Sequence, residues 1–301
     1  MSMINVEKIS KQFGQQIAVD QVSFVVEPGE IFGLLGPNGA GKTTTLRIIL
    51  DIFKPDSGIV EVMAGPMTES KKNRIGYLPE ERGLYQDIPL EGCLVYLATL
   101  KGLSSEESLK RVRAWLERFD LLEHRKKKVK ELSKGMQQKA QLISTLVHDP
   151  ELIIIDEPFA SLDPVNTQMV KDLLQEERDR GKAIVMCTHQ MHHAEELCDR
   201  LVLINRGQVV LYGRLDEIRK KYTGSDVIIH ALDSLPASIP GVIDVKTENS
   251  STRLHLSNDL SPQELLRYLV SANINIDKFE LAFPTLDEIF IQIVTEKEPL
   301  L

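Results

Sequence analysis

The stretch that decides the fold is GPNGAGKTT, Gly36–Thr44. It follows IFGLLG, an apolar run of strand length. It opens TTTLRIILDIF, in which Leu46, Ile49, Leu50 and Phe53 recur at helical spacing. The pattern G-x-x-x-x-G-K-[ST] between a strand and a helix is a phosphate cradle. Its glycines let successive backbone N–H groups point inward around phosphate oxygens. Lys42 adds a point charge at the β- and γ-phosphates, and Thr43 offers a hydroxyl to Mg²⁺. Gly36, Pro37, Asn38, Gly39, Ala40, Gly41, Lys42, Thr43 and Thr44 are therefore the expected nucleotide-binding residues.

Such a loop needs a second element to hold the metal and activate water. LIIIDEP, Leu152–Pro158, supplies it. Asp156 ends an apolar strand, where a carboxylate reaches the Mg²⁺ shell. Glu157 follows it and is suited to polarise the attacking water. The next apolar run, AIVMCTH, ends in Thr188–His189. Parallel strands deliver their carboxyl ends to one crevice, so His189 is expected at the same site, donating to the γ-phosphate or to Glu157. His193, four residues on, is expected to face solvent. His189, His192, His193 and Cys198 lack metal-ligand spacing.

A third element is ELSKGMQQKA, Glu131–Ala140. Ser133 is placed to cap a helix, yet Gly135 in the first turn costs about 1 kcal/mol against Ala in a helix interior. A bare backbone and a hydroxyl at a helix N-terminus suit an anion.

The chain of 301 residues has room for two domains, and its 42% hydrophobic and 27% charged content is that of an ordinary globular protein. A formal net charge of −8 gives nucleic acid no general attraction. HRKKKVK, His124–Lys130, is the one basic run, read as a solvated helix end or loop. Three cysteines, Cys93, Cys187 and Cys198, without metal-ligand spacing fit a reducing compartment. No apolar run approaches the ~20 residues of a membrane span, and the first residues lack a signal-peptide pattern.

Short β-like runs fill Ile4–Val26, and helical patterns dominate from Leu90 to Phe119 and from Lys134 to His148. LVLINRGQVVLYG reads as a hairpin turning at Asn205–Gly207. Composition shifts after RKKYTGS. The strands DVIIHAL, VIDVKTEN and TRLHLS alternate, and the helices SPQELLRYLVSA and PTLDEIFIQIV follow. Gly224–Ser225 is the expected linker between residues 1–223 and a small α/β appendage, 224–301.

With these motifs in this order the chain resembles the nucleotide-binding subunits of ABC transporters, over roughly Ile4 to Tyr222. ELSKGMQQK stands at the family's signature loop, usually Leu-Ser-Gly-Gly-Gln. ASLDP, Ala160–Pro164, matches the D-loop and brings Asp163 to the site, and GYLPEERGLY stands in the Q-loop region. Phe13 occupies the adenine-stacking position. Lys134 and Met136 depart from the usual signature, and Glu80 stands where a glutamine is usual. The LPEERGLY and LSKGMQQK variants, with the appendage, resemble the ATPase halves of bacterial exporters of the sodium-efflux and drug-resistance type.

The resemblance implies an α/β P-loop ATPase with a RecA-like core, an antiparallel β subdomain and a helical subdomain at about 83–150. It implies ATP and Mg²⁺ as cofactors, with Thr43, Asp156 and Glu80 toward the metal. Two cassettes, identical or different, pair head to tail, so Ser133 and Gly135 serve the partner cassette's ATP. The expected partners are that second cassette and a separately encoded integral-membrane permease, with no nucleic acid. The expected place is the cytoplasmic face of the membrane, with force passing through Tyr85–Leu103. Other readings are a soluble ABC-type ATPase on a macromolecular partner, or a non-hydrolysing regulatory cassette. Intact Lys42, Asp156, Glu157 and His189 speak against the last.

Overall fold

The computed structural model describes residues 2–80, 83–160, 162–222, 226–233, 235–236, 238–248, 251–257 and 259–297. The expected linker Gly224–Ser225 lies outside them, as do Arg82 and Ser161. The chain divides into two compact units, Met1–Arg214 and Leu215–Leu301.

In chain order the first unit contains β1 (Ile4–Phe13), β2 (Gln16–Val26), β3 (Ile31–Leu35), α1 (Lys42–Ile49), β4 (Ser57–Val62), α2 (Glu69–Lys72), β5 (Ile75–Leu78), α3 (Leu90–Leu100), α4 (Ser105–Arg118), α5 (Lys134–Leu146), β6 (Leu152–Asp156), α6 (Pro164–Asp179), β7 (Ala183–Thr188), α7 (Met191–Leu197), β8 (Arg200–Asn205) and β9 (Gln208–Arg214). Two sheets form. Strands β2-β1-β4 make an antiparallel sheet, and β5-β6-β7-β3-β8-β9 make a six-stranded one. In the latter, β5, β6, β7, β3 and β8 run parallel and β9 closes antiparallel on β8.

The central strands are apolar throughout because both faces are covered. Leu152, Ile153, Ile154 and Ile155 of β6 are all fully buried. Each contributes about 1.5–3 kcal/mol relative to exposure. The carboxyl ends of β3, β5, β6 and β7 lie at one edge of the sheet, followed by Gly36, Pro79–Glu80, Glu157 and His189.

Among the described residues the region between β5 and β6 carries three α-helices, α3, α4 and α5, with two short 3-10 turns at Leu122–His124 and Val129–Glu131. The expected run from Leu90 to Phe119 is two of these helices, because Gly102 adopts φ +93° and Ser104 caps α4 by accepting from the Glu107 N–H at 3.2 Å. Ser133 caps α5 as expected, accepting from the Met136 N–H at 3.2 Å.

In the second unit, α8 (Leu215–Tyr222) precedes β10 (Asp226–Ala231), β11 (Val242–Glu248), β12 (Ser251–Leu256), α9 (Pro262–Ser271), β13 (Ile276–Leu281) and α10 (Leu286–Lys297). The strands form one antiparallel sheet, β11-β12-β10-β13. Val227, Ile229, Leu254 and Leu256 pack with Leu265 and Leu269 of α9 into a core of its own.

Candidate functional site

The loop from Gly36 to Thr44 owes its shape to glycines. Gly41, the residue before α1, has φ +104°, and a Cβ there would lie 2.2 Å from the Ala18 carbonyl oxygen. A side chain is excluded on both counts. Strand β2 thus presses on the loop, and Gln16 and Ala18 join its wall. Lys42 is buried, and its ammonium donates to the carbonyls of Gly36 at 2.8 Å and Pro37 at 3.1 Å.

A cavity of about 460 Å³ opens over this loop, within the size range of small-ligand sites. Residues 38–44, Phe13, Glu80, Asp156 and Glu157 line it together with Gln16 and Ala18. Phe13 is steadied edge-on against Phe53, 5.5 Å between centroids, and keeps an exposed ring. Gly36 and Pro37 adjoin the cavity through Lys42.

Asp156 ends β6 opposite Cys187 of β7. The Thr43 hydroxyl donates to its Oδ2 at 3.2 Å. Burial raises its carboxyl above the usual carboxylate range, against the lowering effect of hydrogen bonds from Cys187 and Thr43. Burial and the Asp156 charge drive the Cys187 thiol well above its ordinary value, so it stays protonated. A hydroxyl and a buried carboxylate converging beside Lys42 are the hard oxygen donors that Mg²⁺ prefers, so the residues present fit that ion.

Glu157 sits in the left-handed region, φ +52°, a conformation that costs a non-glycine residue about 1 kcal/mol. Its N–H donates to the Cys187 carbonyl at 2.9 Å, which ties the turn to β7. The carboxylate is buried and fully engaged. Oε2 accepts from the Thr188 hydroxyl at 2.9 Å. Oε1 accepts from the His189 N–H at 2.9 Å and lies 2.6 Å from His189 Nδ1. Sequence reasoning had no role for Thr188. Its signal was its place before His189 at the end of β7.

Of the expected residues, Gly36, Pro37, His189, Ser133, Gly135 and Asp163 do not line this cavity; the first three adjoin it through Lys42 and Glu157. Ser133 is exposed and Gly135 half-buried at the start of α5. Asp163 instead caps α6, accepting from the Asn166 N–H at 2.9 Å. His193 is a correction: it is buried, with its ring 4.3 Å from that of Phe159. Among the described residues no group of three or more His, Cys, Asp or Glu side chains is arranged to hold a metal ion.

The ABC transporter family model matches residues 19–160. The Bacillus subtilis (strain 168) uncharacterized ABC transporter ATP-binding protein YhaQ is 41% identical over 294 residues, 97% of this chain and 98% of that protein. The chain belongs to the family of ABC transporter ATP-binding proteins. As an ABC ATPase it binds ATP and hydrolyses it. The model of the DrrA1-3-like ATP-binding protein C-terminal domain matches residues 213–294. The linearmycin resistance ATP-binding protein LnrL of Bacillus subtilis (strain 168) is 29% identical over 97% of this chain and 98% of that one. A dimeric structure of a bacterial ABC transporter cassette, MJ0796, superposes with a TM-score of 0.66 at 25% identity, covering 71% of this ABC ATPase and 99% of that chain.

Proposed function

We propose that this ABC ATP-binding subunit powers export through a separately encoded integral-membrane permease, by ATP-driven closure of two cassettes. The observation that carries the proposal is the division of the site. Lys42, Thr43, Asp156 and Glu157 share one cavity, while the exposed Ser133 and half-buried Gly135 lie outside its lining. A capped helix N-terminus with Gly in its first turn, not part of the cavity over its own phosphate loop, suits the γ-phosphate of a second cassette. The dimeric state of the MJ0796 cassette supports such a pairing.

In this reading residues 1–223 act as the cassette and 224–301 as an accessory domain. Residues 36–44 wrap the triphosphate and Phe13 stacks on adenine. Asp163 approaches the dimer seam. Thr43, Asp156 and Glu80 hold Mg²⁺, which when bound neutralises charge on the β- and γ-phosphate oxygens. Glu157 accepts a proton from the attacking water, and His189, with its Nδ1 on Glu157, orients that carboxylate. Glu80, two residues past β5, reports the γ-phosphate to the helical region that begins with α3.

Among the described residues no helix is long and apolar enough to cross a membrane. In this reading a separate permease gives the ATPase its pathway, and the cytoplasmic face of the membrane is its place. The resistance role named for LnrL of Bacillus subtilis supports export as the direction. The test is to solubilise membranes of the native host and isolate the tagged subunit. A co-purifying multi-span protein that reconstitutes ATP-driven transport is the expected result. A ribosomal or other soluble macromolecular partner, with no membrane protein, overturns the proposal.

A further inference from the structure

A second cluster packs directly behind the hydrolytic pair. Its centre is His193 on α7, four residues past His189, which precedes the helix by two residues. The ring is 9% exposed and lies on Phe159, with centroids 4.3 Å apart and planes at 55°. Phe159 is 5% exposed and follows Glu157 by two residues. Lys171 of α6 sits 5.8 Å over the Phe159 ring and is ion-paired with Glu196 of α7. The ionisable groups around His193 are thus His192, whose ring is 3.9 Å away, Lys171, Glu196 and Glu157.

Nothing polar explains the burial of this ring. Among the described residues His193 Nδ1 is buried without a hydrogen-bond partner. Burial, with His192 and Lys171 nearby, holds its pKa down at about 4, so the ring is neutral near pH 7. An uncharged imidazole with a bare Nδ1 contributes shape and packing.

The packing closes a short circuit of contacts. Glu157 meets His189 at one end. At the other end Phe159 meets His193. Two peptide units join Glu157 to Phe159, and the short turn into α7 with its first residues joins His189 to His193. A shift of α7 relative to the turn after β6 would therefore move the His189 ring off the Glu157 carboxylate.

We propose that His193 is a positioning residue for ATP hydrolysis: packed on Phe159, it fixes α7 so that His189 stays on Glu157. The proposal rests on the reading of Glu157 and His189 as the hydrolytic pair. Misplacement by about 1 Å in such a pair costs up to ~100-fold in rate.

The test is steady-state ATPase kinetics of the full chain, in a cycle with His189. His193→Ala should lower kcat about tenfold and leave KM for ATP within about twofold. His193→Leu, which refills the space without polar atoms, should recover most of the rate. In a His189→Ala background, His193→Ala should have no further effect. An equal loss in both backgrounds, a KM that rises as kcat falls, or a wild-type kcat in His193→Ala overturns the proposal. If His193→Ala does not fold, Phe159→Leu gives the same readout: a several-fold kcat loss seen only when His189 is present. If His189→Ala alone retains wild-type kcat, the hydrolytic reading itself fails and this proposal falls with it.

Discussion

His189 meets Glu157 through both backbone and ring: its N–H donates to Oε1 at 2.9 Å, and its Nδ1 lies 2.6 Å from the same oxygen. With Thr188 on Oε2, the carboxylate has donors at both oxygens before any water arrives. The group is fixed in orientation and remains an acceptor. It is held by two neighbouring residues of β7 and its following turn, so its orientation depends on the register of β6 against β7.

Glu157→Gln tests this. An amide cannot take a proton from water, and its NH₂ faces a donor on whichever side it occupies. Turnover should fall at least ~100-fold, the range of a lost general base, while ATP binding persists. The dimer should accumulate closed with ATP, seen by size exclusion. Hydrolysis near the wild-type rate would show that Glu157 is not the base.

Ser133→Arg tests the divided site. Ser133 is exposed and lies outside the cavity over residues 38–44, so a dilute monomer should bind ATP with unchanged affinity. Dimer formation and hydrolysis should both be lost, at least ~10-fold, since a bulky cation replaces a cap worth about 1 kcal/mol and blocks the seam. A loss of affinity in the monomer would place Ser133 in its own chain's site.

The site was legible in the sequence where a short motif fixes a backbone shape. Gly36–Thr44 required only its strand, glycines, lysine and helix. The apolar runs ending at Asp156 and Thr188 fixed β6 and β7 as buried parallel strands, and their carboxyl ends followed from topology. Contacts between distant segments were not legible. His193 reads as solvent-facing from α7 alone, because Phe159, which covers it, comes from the turn after another strand. The left-handed backbone of Glu157 has no local signal either. It is imposed by the bond from its N–H to the Cys187 carbonyl. Asp163 matched a family motif, but its carboxylate is spent on capping α6.

Acid should destabilise the first unit through buried imidazoles. His148 Nε2 meets the Ile75 carbonyl at 3.2 Å, beside Lys101, whose ammonium donates to the same oxygen at 3.0 Å. Burial, then Lys101, lowers its pKa from 6.5 to about 4. The folded state therefore binds its proton later than the unfolded state as pH falls. Stability is intact above about pH 6.5 and is lost progressively down to about pH 4. The loss is roughly 3 kcal/mol for this group, and His193 adds to it in the same window. Urea midpoints should drop between pH 7.5 and pH 5, and His148→Gln should flatten that slope. An unchanged slope would assign the acid sensitivity elsewhere.

Glu80 faces the same cavity as Asp156 and Glu157 and is exposed there. Three carboxylates around one cavity repel one another, and a divalent cation relieves that repulsion. A glutamine would offer Mg²⁺ a neutral carbonyl, whereas Glu80 offers a charge. In a solvated site that charge is worth roughly 1 kcal/mol toward the cation. Glu80→Gln should therefore raise the Mg²⁺ concentration for half-maximal ATPase about fivefold and leave kcat at saturating Mg²⁺ within about twofold. Glu80→Ala removes both charge and oxygen. It should shift Mg²⁺ dependence at least as far and also break the link to the helical region, so that hydrolysis no longer responds to the permease. If both variants kept the wild-type Mg²⁺ dependence and the wild-type response to the permease, Glu80 would have neither role.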